Sequence, residues 1–424
     1  MKIIRRDFLR LASAAGASAL FVPNRLFPGN SDFKTRVVVI EDEKACVNRK
    51  IDKNVVQIMI DEGIKALTGL TSPDDAWKSV FPGITYSGRI SVKANCINAA
   101  LPTHPEVVYA MVNSIKSMNL GGQPFNENNI IIYDRTTQEL KGSKYTVNTS
   151  SAGIRCFGTD STDVGYDTTD YDVSGSTERV TRIVTDMSDY LVNAAVLKNH
   201  YISGVTLCIK NHFGTVNNPN KLHPNNSAPS SAAISCIPVI RQKQCFYLID
   251  ALLGIISGGP FGQPQVNPNK IIMGTDIAAV DYTGMKLLES LGCTSTGTST
   301  HIASAASLNL GTNKPDEIEI INIKNPSGSS GIIRENNETA DNPDFTISYN
   351  QTTKTSVIRF YLNTESRVNF RLFDYQGRIV ATLKDEVLST GIHESTIDCS
   401  SYPRGIYFLV AKINSRIIKE KIII

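Results

Sequence analysis

The amino-acid sequence predicts an α/β domain with a mainly parallel sheet and helices on both faces, followed by a small all-β sandwich. Three observations support this. Short runs of branched aliphatic residues alternate with longer segments whose apolar residues recur at helical spacing, which is typical of strand–helix–strand units. A segment rich in Ser, Gly, Asn and Asp interrupts the pattern between residues 325 and 343. Beyond it, short stretches alternate apolar and polar positions, as half-buried antiparallel strands do.

The elements of the first domain follow one another in the order that a wound sheet requires. Residues 36–40 predict a buried strand, and residues 54–67 a helix. A second strand covers residues 89–95, after which Thr103 and Pro105 suit the N-cap and the first turn of a helix. Further predicted strands are 129–134, 190–197, 245–250, 270–275 and 318–323, with helices at 232–241 and 276–291, a short helix or turn at 205–213 and an insertion at 135–180.

The composition is that of a soluble globular protein. Hydrophobic residues make up 41% and charged residues 20% of the 424 residues, and a chain of this length is expected to form two domains plus appendages. Five basic side chains and Asp7 give the first 29 residues a net charge of +4, whereas the whole chain carries +3. The remainder is therefore near −1, which argues against a general nucleic-acid binder.

The N-terminal segment has the pattern of an export signal. Arg5 and Arg6 precede Phe8 and Leu9, and an apolar, Ala-rich run follows at residues 11–22. This pattern looks like a twin-arginine signal peptide, with an ordinary amphipathic helix as the alternative. The resemblance implies the twin-arginine translocase as a partner. That route carries folded proteins, so it suits a domain that acquires a cofactor before export.

Eight cysteines are spread along the chain without any C-x-x-C pair. An iron–sulfur cluster or a zinc ribbon is therefore not expected. Cys208 lies within an apolar run and is interpreted as a small core residue. Export would permit a disulfide, and the sequence leaves a pair between Cys236 and Cys245 open.

The most informative stretch is residues 191–215, LVNAAVLKNHYISGVTLCIKNHFGT. Lys198 with His200, and Lys210 with His212, repeat the same offset within an apolar sequence. Charged groups in such a run are costly to desolvate unless they face a cleft, an anion or a metal. The stretch therefore predicts a binding site.

Polar residues at the ends of other predicted strands are expected to join this site. Ligands of open α/β sheets bind beyond the carboxyl ends of the strands, and such an edge would gather lysines, imidazoles and carboxylates around a small anion or a metal. The predicted catalytic residues are Lys198, His200, Lys210 and His212. The predicted ligand-binding residues are Lys93, Asn95, His104, Asn211, Asp250 and Asp276. The predicted ligands of a divalent metal are His200, His212 and Asp250.

Several of these residues also have a simpler structural interpretation. Lys93 could pair with Asp134, Asp276 could only cap its helix, and His104 could only stabilise a helix start. The sequence contains no phosphate loop, dinucleotide glycine fingerprint, nucleophile elbow or zinc-protease helix. Three further histidines are the weakest candidates, as structural or loop residues: His223, His301 and His393.

The C-terminal region carries short motifs in a fixed order. They are FRLFD at 370–374, GR at 377–378, GIH at 391–393, GIYF at 405–408 and a basic-apolar end at 419–424. Together they resemble the C-terminal sorting domain of type IX secretion cargo. The resemblance implies export across the outer membrane by the type IX machinery, then release or attachment at the cell surface. A plain immunoglobulin-like binding module is the alternative.

The larger domain carries a second ordered series of motifs. They are VKAN at 92–95, THPEVV at 103–108, LKNH at 197–200, KNHFG at 210–214, DAL at 250–252, GGP at 258–260 and TD at 275–276. Together they resemble the bacterial family called domain of unknown function 362. Several relatives carry an iron–sulfur module whose cysteines this chain lacks, and Ala94 stands where the family usually has Pro. Because the family has no settled activity, the resemblance implies an architecture and a site more than a reaction.

These observations predict a protein exported through the periplasm and then secreted or attached to the cell surface. The cationic residues favour an enzyme that acts on a small anionic substrate with a bound metal or cofactor. A non-catalytic surface module that holds an anion or a metal is the alternative, and a purely structural surface protein is the third possibility. The predicted division is a signal peptide at 1–29, the α/β domain at 30–324, a linker at 325–343 and the sorting domain at 344–424.

Overall fold

The structure is a computed structural model that describes residues 34–328 and most strand-forming segments of the C-terminal region. Those segments are residues 333–335, 345–350, 355–362, 364–374, 379–398, 402, 406–413 and 416–423. The chain divides into two compact units, Met1–Asn336 and Asn337–Ile424. The predicted signal peptide lies outside the described residues, and so does much of the predicted linker.

The first unit is built around a mixed sheet. Its strands are β1 (Thr35–Glu41), β2 (Ile90–Lys93), β3 (Ile130–Asp134), β4 (Arg155–Gly158), β5 (Tyr190–His200), β6 (Gln244–Ile255), β7 (Lys270–Gly274), β8 (Ile318–Lys324) and β9 (Ile333–Glu335). Among the described residues, these nine strands lie side by side in the order β9-β8-β1-β7-β6-β5-β2-β3-β4, and Gly204–Val205 pairs with the end of β5.

The prediction of a mainly parallel sheet is only partly right. β6, β5, β2, β3 and β4 run parallel, and so do β1 and β8. β7 runs antiparallel to both of its neighbours, β1 and β6, and β9 runs antiparallel to β8. The chain passes from β6 to β7 through a loop without a helix, and such a loop joins antiparallel neighbours, whereas parallel neighbours need a longer crossover.

Helices cover both faces of the sheet. Successive side chains of a strand point to opposite faces. The helices are α1 (Lys53–Thr68), α2 (Pro73–Val80), α3 (Pro105–Lys116), α4 (Thr137–Gly142), α5 (Arg182–Thr185), α6 (Leu207–Asn211), α7 (Ala228–Cys236), α8 (Pro238–Lys243), α9 (Ile277–Ser290) and α10 (Thr300–Ser307). In β5, Val192 and Val196 belong to a core cluster with residues of α1, α2 and α3, whereas Ala195 and Leu197 belong to a cluster with residues of α6, α9 and α10. None of the described helices combines the length and the apolar character needed to span a membrane.

Local sequence explains where the helices near the site begin and end. Asp52 caps α1 by accepting the backbone N–H groups of the first turn, and Gly69 ends it with a left-handed φ of 75°. Thr103, the predicted cap of α3, instead donates from Oγ1 to the carbonyl of Ala194 at 2.7 Å. His104 occupies the N-cap position without a side-chain capping bond. The hydroxyl of Thr103 thus links the start of α3 to β5.

The second unit consists of small antiparallel sheets. Its described strands are Phe345–Asn350, Thr355–Leu362 and Gly391–Asp398 in one sheet, and Ser366–Asp374, Ile379–Leu388, Ile406–Ile413 and Arg416–Ile423 in the other. Phe360 of the first sheet and Phe370 and Leu409 of the second are buried in one cluster. This is the arrangement expected of the predicted sandwich.

The described cysteines carry free thiols. Cys236 and Cys245 are among them, so the disulfide that the sequence left open is not formed. Cys208 is completely buried in the core, as its apolar surroundings predict. Cys399 lies outside the described residues.

Candidate functional site

The carboxyl ends of β2 and β3 meet at one edge of the sheet. Lys93, at the end of β2, donates to Oδ1 of Asp134 at 2.5 Å and to the carbonyl of Ala94 at 2.7 Å. Oδ2 of Asp134 accepts the N–H of Cys96 at 2.5 Å. The exposed fractions of the two charged side chains are 1% and 5%. The ammonium group of Lys93 is therefore neutralised inside the protein, which is the simpler of its two sequence interpretations.

Two asparagines, Asn211 and Asn95, connect Lys93 to Lys198, and a third, Asn193, is bonded to Asn211. Nζ of Lys93 and Nδ2 of Asn95 both donate to Oδ1 of Asn211, at 3.2 and 3.0 Å. Nδ2 of Asn211 donates to Oδ1 of Asn193 at 2.8 Å. Nζ of Lys198 donates to Oδ1 of Asn95 at 2.6 Å. Asn193 was not predicted, although a buried amide within an apolar strand was the signal that could have revealed it.

Lys198 and Lys210 are buried, and neither forms a hydrogen bond with a carboxylate among the described residues. Burial lowers the pKa of Lys198 to about 8. Burial, together with the charge of Lys198, lowers the pKa of Lys210 to about 7. Neither ammonium group forms an ion pair among the described residues, and each lies next to a neutral group instead. For Lys198 this group is the side-chain amide of Asn95. For Lys210 this group is Nε2 of His223, at 3.4 Å.

The charges of Lys210, His223, Lys198 and His301 all act on the ring of His200, and we call these five residues the cationic cluster. Burial, followed by the charge of Lys210, lowers the pKa of His200 to about 3, so its ring is neutral at pH 7. Nδ1 of this ring accepts the N–H of Ile202 at 3.1 Å and that of Ser203 at 3.3 Å. Its proton therefore resides on Nε2, where it can be donated to a ligand.

His301 joins the cluster although the sequence interpretation made it structural. Its ring is fully buried, and burial together with the charge of Lys210 lowers its pKa to about 3. Among the described residues, neither ring nitrogen has a hydrogen-bond partner, and the buried hydroxyls of Thr206 and Ser299 also lack one. A Cβ added to Gly204 would lie 2.3 Å from Oγ of Ser299, so the glycine permits this close approach.

His212 has its ring nitrogens directed at protein groups. One nitrogen, Nε2, lies 3.1 Å from Nδ2 of Asn193, and the other, Nδ1, lies 3.4 Å from Oγ1 of Thr215. Burial, followed by the charge of Lys93, lowers the pKa of His212 to about 3. The neutral ring therefore links Asn193 of β5 to Thr215 in the turn that follows α6.

His104 and Asp250 form a separate pair. Oδ2 of Asp250 accepts the backbone N–H of His104 at 2.8 Å and lies 2.7 Å from ring atom Nδ1. Oδ1 accepts the N–H of Leu252 at 3.1 Å. Burial alone would lower the pKa of His104, but the charge and hydrogen bond of Asp250 outweigh it, so this pKa is raised. The pair links the start of α3 to β6.

Asp276 lies at the opposite edge of the sheet. Because β7 is antiparallel to β6, Gly274 at its end pairs with Tyr247 near the start of β6. The expectation that Asp276 joins the other polar side chains is therefore wrong. Its carboxylate accepts the N–H of Ala279 at 2.9 Å and that of Thr312 at 3.0 Å, which makes it the N-cap of α9.

The three predicted metal ligands have different neighbours. His200 accepts backbone N–H groups, His212 contacts Asn193, and Asp250 pairs with His104. Within the part of the chain that the structure describes, no group of three or more His, Cys, Asp or Glu residues is arranged to hold a metal ion. A metal role for these residues therefore stays a prediction.

Fold and site define a two-unit protein, in which an α/β domain carries a buried cationic cluster and an antiparallel β domain forms the tail. Residues 90–286 match the family model described as Domain of unknown function (DUF362), and residues 342–424 match the Secretion system C-terminal sorting domain. Both resemblances predicted from the motifs are confirmed. The sorting domain indicates a secreted, cell-surface protein that uses a type IX secretion system.

Comparisons with whole proteins add little. No curated protein matches the chain. An engineered protein with a crystal structure at 1.98 Å aligns over 91% of this chain and 92% of its own, with 9% identity and a TM-score of 0.16. Similarity at that level does not indicate a shared fold.

Proposed function

We propose that the α/β domain binds a small anion, a carboxylate or a phosphate, at the cationic cluster. The observation that supports this is the pair of buried lysines, Lys198 and Lys210, which have no carboxylate partner among the described residues. Buried charges in proteins are normally paired, and buried polar atoms normally have hydrogen-bond partners. An anion would supply the missing charge to both.

The neighbouring groups suit such a ligand. The ammonium groups provide positive charge, and the neutral ring of His200 has an N–H left to donate. His301 presents one further ring N–H and one acceptor nitrogen, neither of which has a partner among the described residues. Lys93 does not take part because Asp134 already neutralises it. The proposed site therefore consists of Lys198, Lys210, His200 and His301, with His223 beside Lys210.

A second candidate function is catalysis on the bound anion. The pKa of Lys210, about 7, lies in the range where a side chain exchanges protons most effectively at neutral pH. Lys210 would then act as the general acid or base, and the ammonium group of Lys198 would bind the negatively charged group of the substrate. An activity screen against hydroxy acids and phosphate esters, with Lys210→Met as the control, separates an enzyme from a binding module. Turnover that Lys210→Met leaves unchanged would exclude this role.

Binding can be tested with inorganic phosphate and purified full-length protein. Lys198→Met and Lys210→Met are each expected to weaken phosphate binding at least tenfold at pH 6.5 in isothermal titration calorimetry, because each removes a desolvated charge. Lys286→Met is the matched control, since Lys286 is a half-exposed lysine paired with Glu289. Phosphate binding that survives both cluster substitutions in folded protein would refute the proposal.

We also propose that the chain reaches the periplasm through the twin-arginine translocase. The motif at Arg5 and Arg6 supports this. Replacing both by Lys is expected to retain the protein in the cytoplasm, as measured by cell fractionation. Unchanged export of the double variant would contradict the proposed route.

A further inference from the structure

Exposed apolar side chains lie beside the cationic cluster. Ile97, Tyr201 and Phe261, which we call the apolar rim, are 39%, 71% and 63% exposed. They stand on three segments that hydrogen bonds hold together. The N–H of Tyr201 donates to the carbonyl of Gly259 at 3.1 Å. Nδ2 of Asn98, next to Ile97, donates to the carbonyls on either side of Phe261, at 3.0 and 2.8 Å.

A series of aromatic rings connects this rim to the buried charge. Tyr201 stacks on His200 with ring centroids 5.2 Å apart and an interplanar angle of 13°. His200 stacks on His223 at 5.9 Å and 21°, and His223 meets Phe213 edge-on at 5.4 Å. Nζ of Lys210 lies 3.5 Å from the centroid of the Phe213 ring. An unbroken series of ring contacts thus links the exposed ring of Tyr201 to the ammonium group of Lys210.

We infer that the ligand is an organic anion with a planar apolar body, of the aryl carboxylate or aryl phosphate class. Its charged group occupies the cationic cluster, and its flat face packs on Tyr201 and Phe261. This inference rests on the proposed anion-binding function. A purely inorganic anion would satisfy the buried cations but would leave both aromatic rings in water, whereas an aryl group would cover them and gain from stacking.

The charge of the neighbouring rings is consistent with this assignment. His200 is neutral at pH 7 because burial lowers its pKa to about 3, and burial and the charge of Lys210 also lower the pKa of His223. The rings next to Tyr201 therefore form an uncharged surface, and positive charge is confined to the lysines behind them. A ligand that matches both parts carries its charge at one end and an apolar plane at the other.

The test compares two matched pairs of ligands, acetate with benzoate and inorganic phosphate with phenyl phosphate. Affinities are measured by isothermal titration calorimetry on the full-length protein and on Tyr201→Ala, Phe261→Ala and Tyr86→Ala. The last is the control, because Tyr86 is 44% exposed and precedes β2, away from the carboxyl ends of the strands. Since the substituted side chains are exposed, thermal unfolding is expected to be unchanged in all three variants.

The expected result is that each aryl anion binds at least tenfold more tightly than its small counterpart. Tyr201→Ala and Phe261→Ala should each reduce aryl affinity about fivefold or more and leave inorganic phosphate unaffected, whereas Tyr86→Ala should change neither. Equal affinities for the aryl and small anions would overturn the inference while leaving anion binding intact. An equal loss of affinity for the aryl and the small anions in Tyr201→Ala would also overturn the inference, because Tyr201 would then only position His200. If the wild-type protein binds none of the four anions, the proposed function itself fails.

Discussion

The ammonium nitrogen of Lys210 lies 3.4 Å from Nε2 of His223, and this neutral nitrogen is its one hydrogen-bonding partner among the described residues. His223 directs its other ring nitrogen at the carbonyl of Asn220, 3.3 Å away. Nζ of Lys210 also lies over the ring of Phe213, but neither this ring nor the imidazole carries the negative charge that a carboxylate would supply. The protonation of Lys210 must therefore respond to any anion that enters the site.

Anion binding is expected to weaken as the pH rises. The pKa values of Lys210 and Lys198 are about 7 and about 8 in the free protein, and an anion favours the protonated form of both. Above pH 7 the loss of the first proton should reduce affinity by about tenfold per pH unit, with a steeper decline above pH 8. Sulfate is the suitable probe because its own charge stays constant from pH 6 to 9. Calorimetry in buffers of different ionisation enthalpy would detect the proton uptake, and a flat profile would contradict it.

Lys210 should also leave a signature in the stability of the ligand-free protein. Its folded pKa, about 7, lies below its ordinary value of 10.5. Between these values the unfolded chain binds a proton that the folded chain lacks, so the free energy of unfolding rises with pH. The free energy of unfolding of the wild type, measured relative to that of Lys210→Met, should therefore rise by roughly 1.4 kcal/mol per pH unit from pH 7.5 to 9. Urea unfolding at several pH values measures this difference, and a constant value would mean that Lys210 titrates normally.

The candidate site could be predicted where local sequence decides a residue's environment. Lys198 and Lys210 lie within apolar runs, and both are buried, as those runs indicate. Lys93 and Asp134 end neighbouring parallel strands, so their contact follows from strand order. The wound architecture and the β tail could be predicted for the same reason, because periodicity and motif order are properties of short segments.

Other features depend on packing between distant segments. His301 reaches the cluster only because α10 packs on the helices that follow β5, which no spacing in the sequence reveals. The sequence prediction put Asp276 at the wrong edge of the sheet because β7 runs antiparallel to β6. A run such as Lys270–Gly274 reads the same in either direction, so its hydrophobic pattern could not show which edge its end would reach.

His104 is expected to titrate above its ordinary range. Burial lowers its pKa, but Asp250 outweighs that effect and raises it. Stability from this pair is therefore fully present below pH 6.5, the ordinary value, and is lost as the pH rises through the folded pKa. NMR titration of the imidazole carbon-bound protons should place the wild-type pKa above 6.5 and that of Asp250→Asn below it. Identical titration curves in the two proteins would remove Asp250 as the cause.

The tail is expected to be necessary for display at the cell surface. Residues 342–424 match the sorting domain and form a compact unit of their own. A chain that ends at residue 341 should therefore stay cell-associated and protected from protease added to intact cells. The full-length protein should be digested or released under the same conditions. Urea unfolding of the purified truncated chain controls for misfolding, and surface display of a folded truncated chain would refute this expectation.

Gly214 is expected to be essential for the buried ion pair of Lys93 and Asp134. A Cβ at this position would lie 2.7 Å from Oδ1 of Asp134 and 2.8 Å from both Cε and Nζ of Lys93. Because the pair is buried, neither partner can move aside without leaving a charge unpaired. Gly214→Ala should therefore reduce the free energy of unfolding by about 3 kcal/mol or more.

Gly297→Ala provides the matched comparison for this substitution. Gly214 and Gly297 both lie in 3₁₀ turns, His212–Thr215 and Thr296–Thr298, but a Cβ at Gly297 meets no atom within 4 Å. Gly297→Ala should be neutral or slightly stabilising, since alanine restricts the unfolded chain. Urea unfolding of the two variants isolates the effect of the ion pair from that of the turn. Equal destabilisation of both would mean that the turn conformation, and not the space above Lys93, requires the glycine.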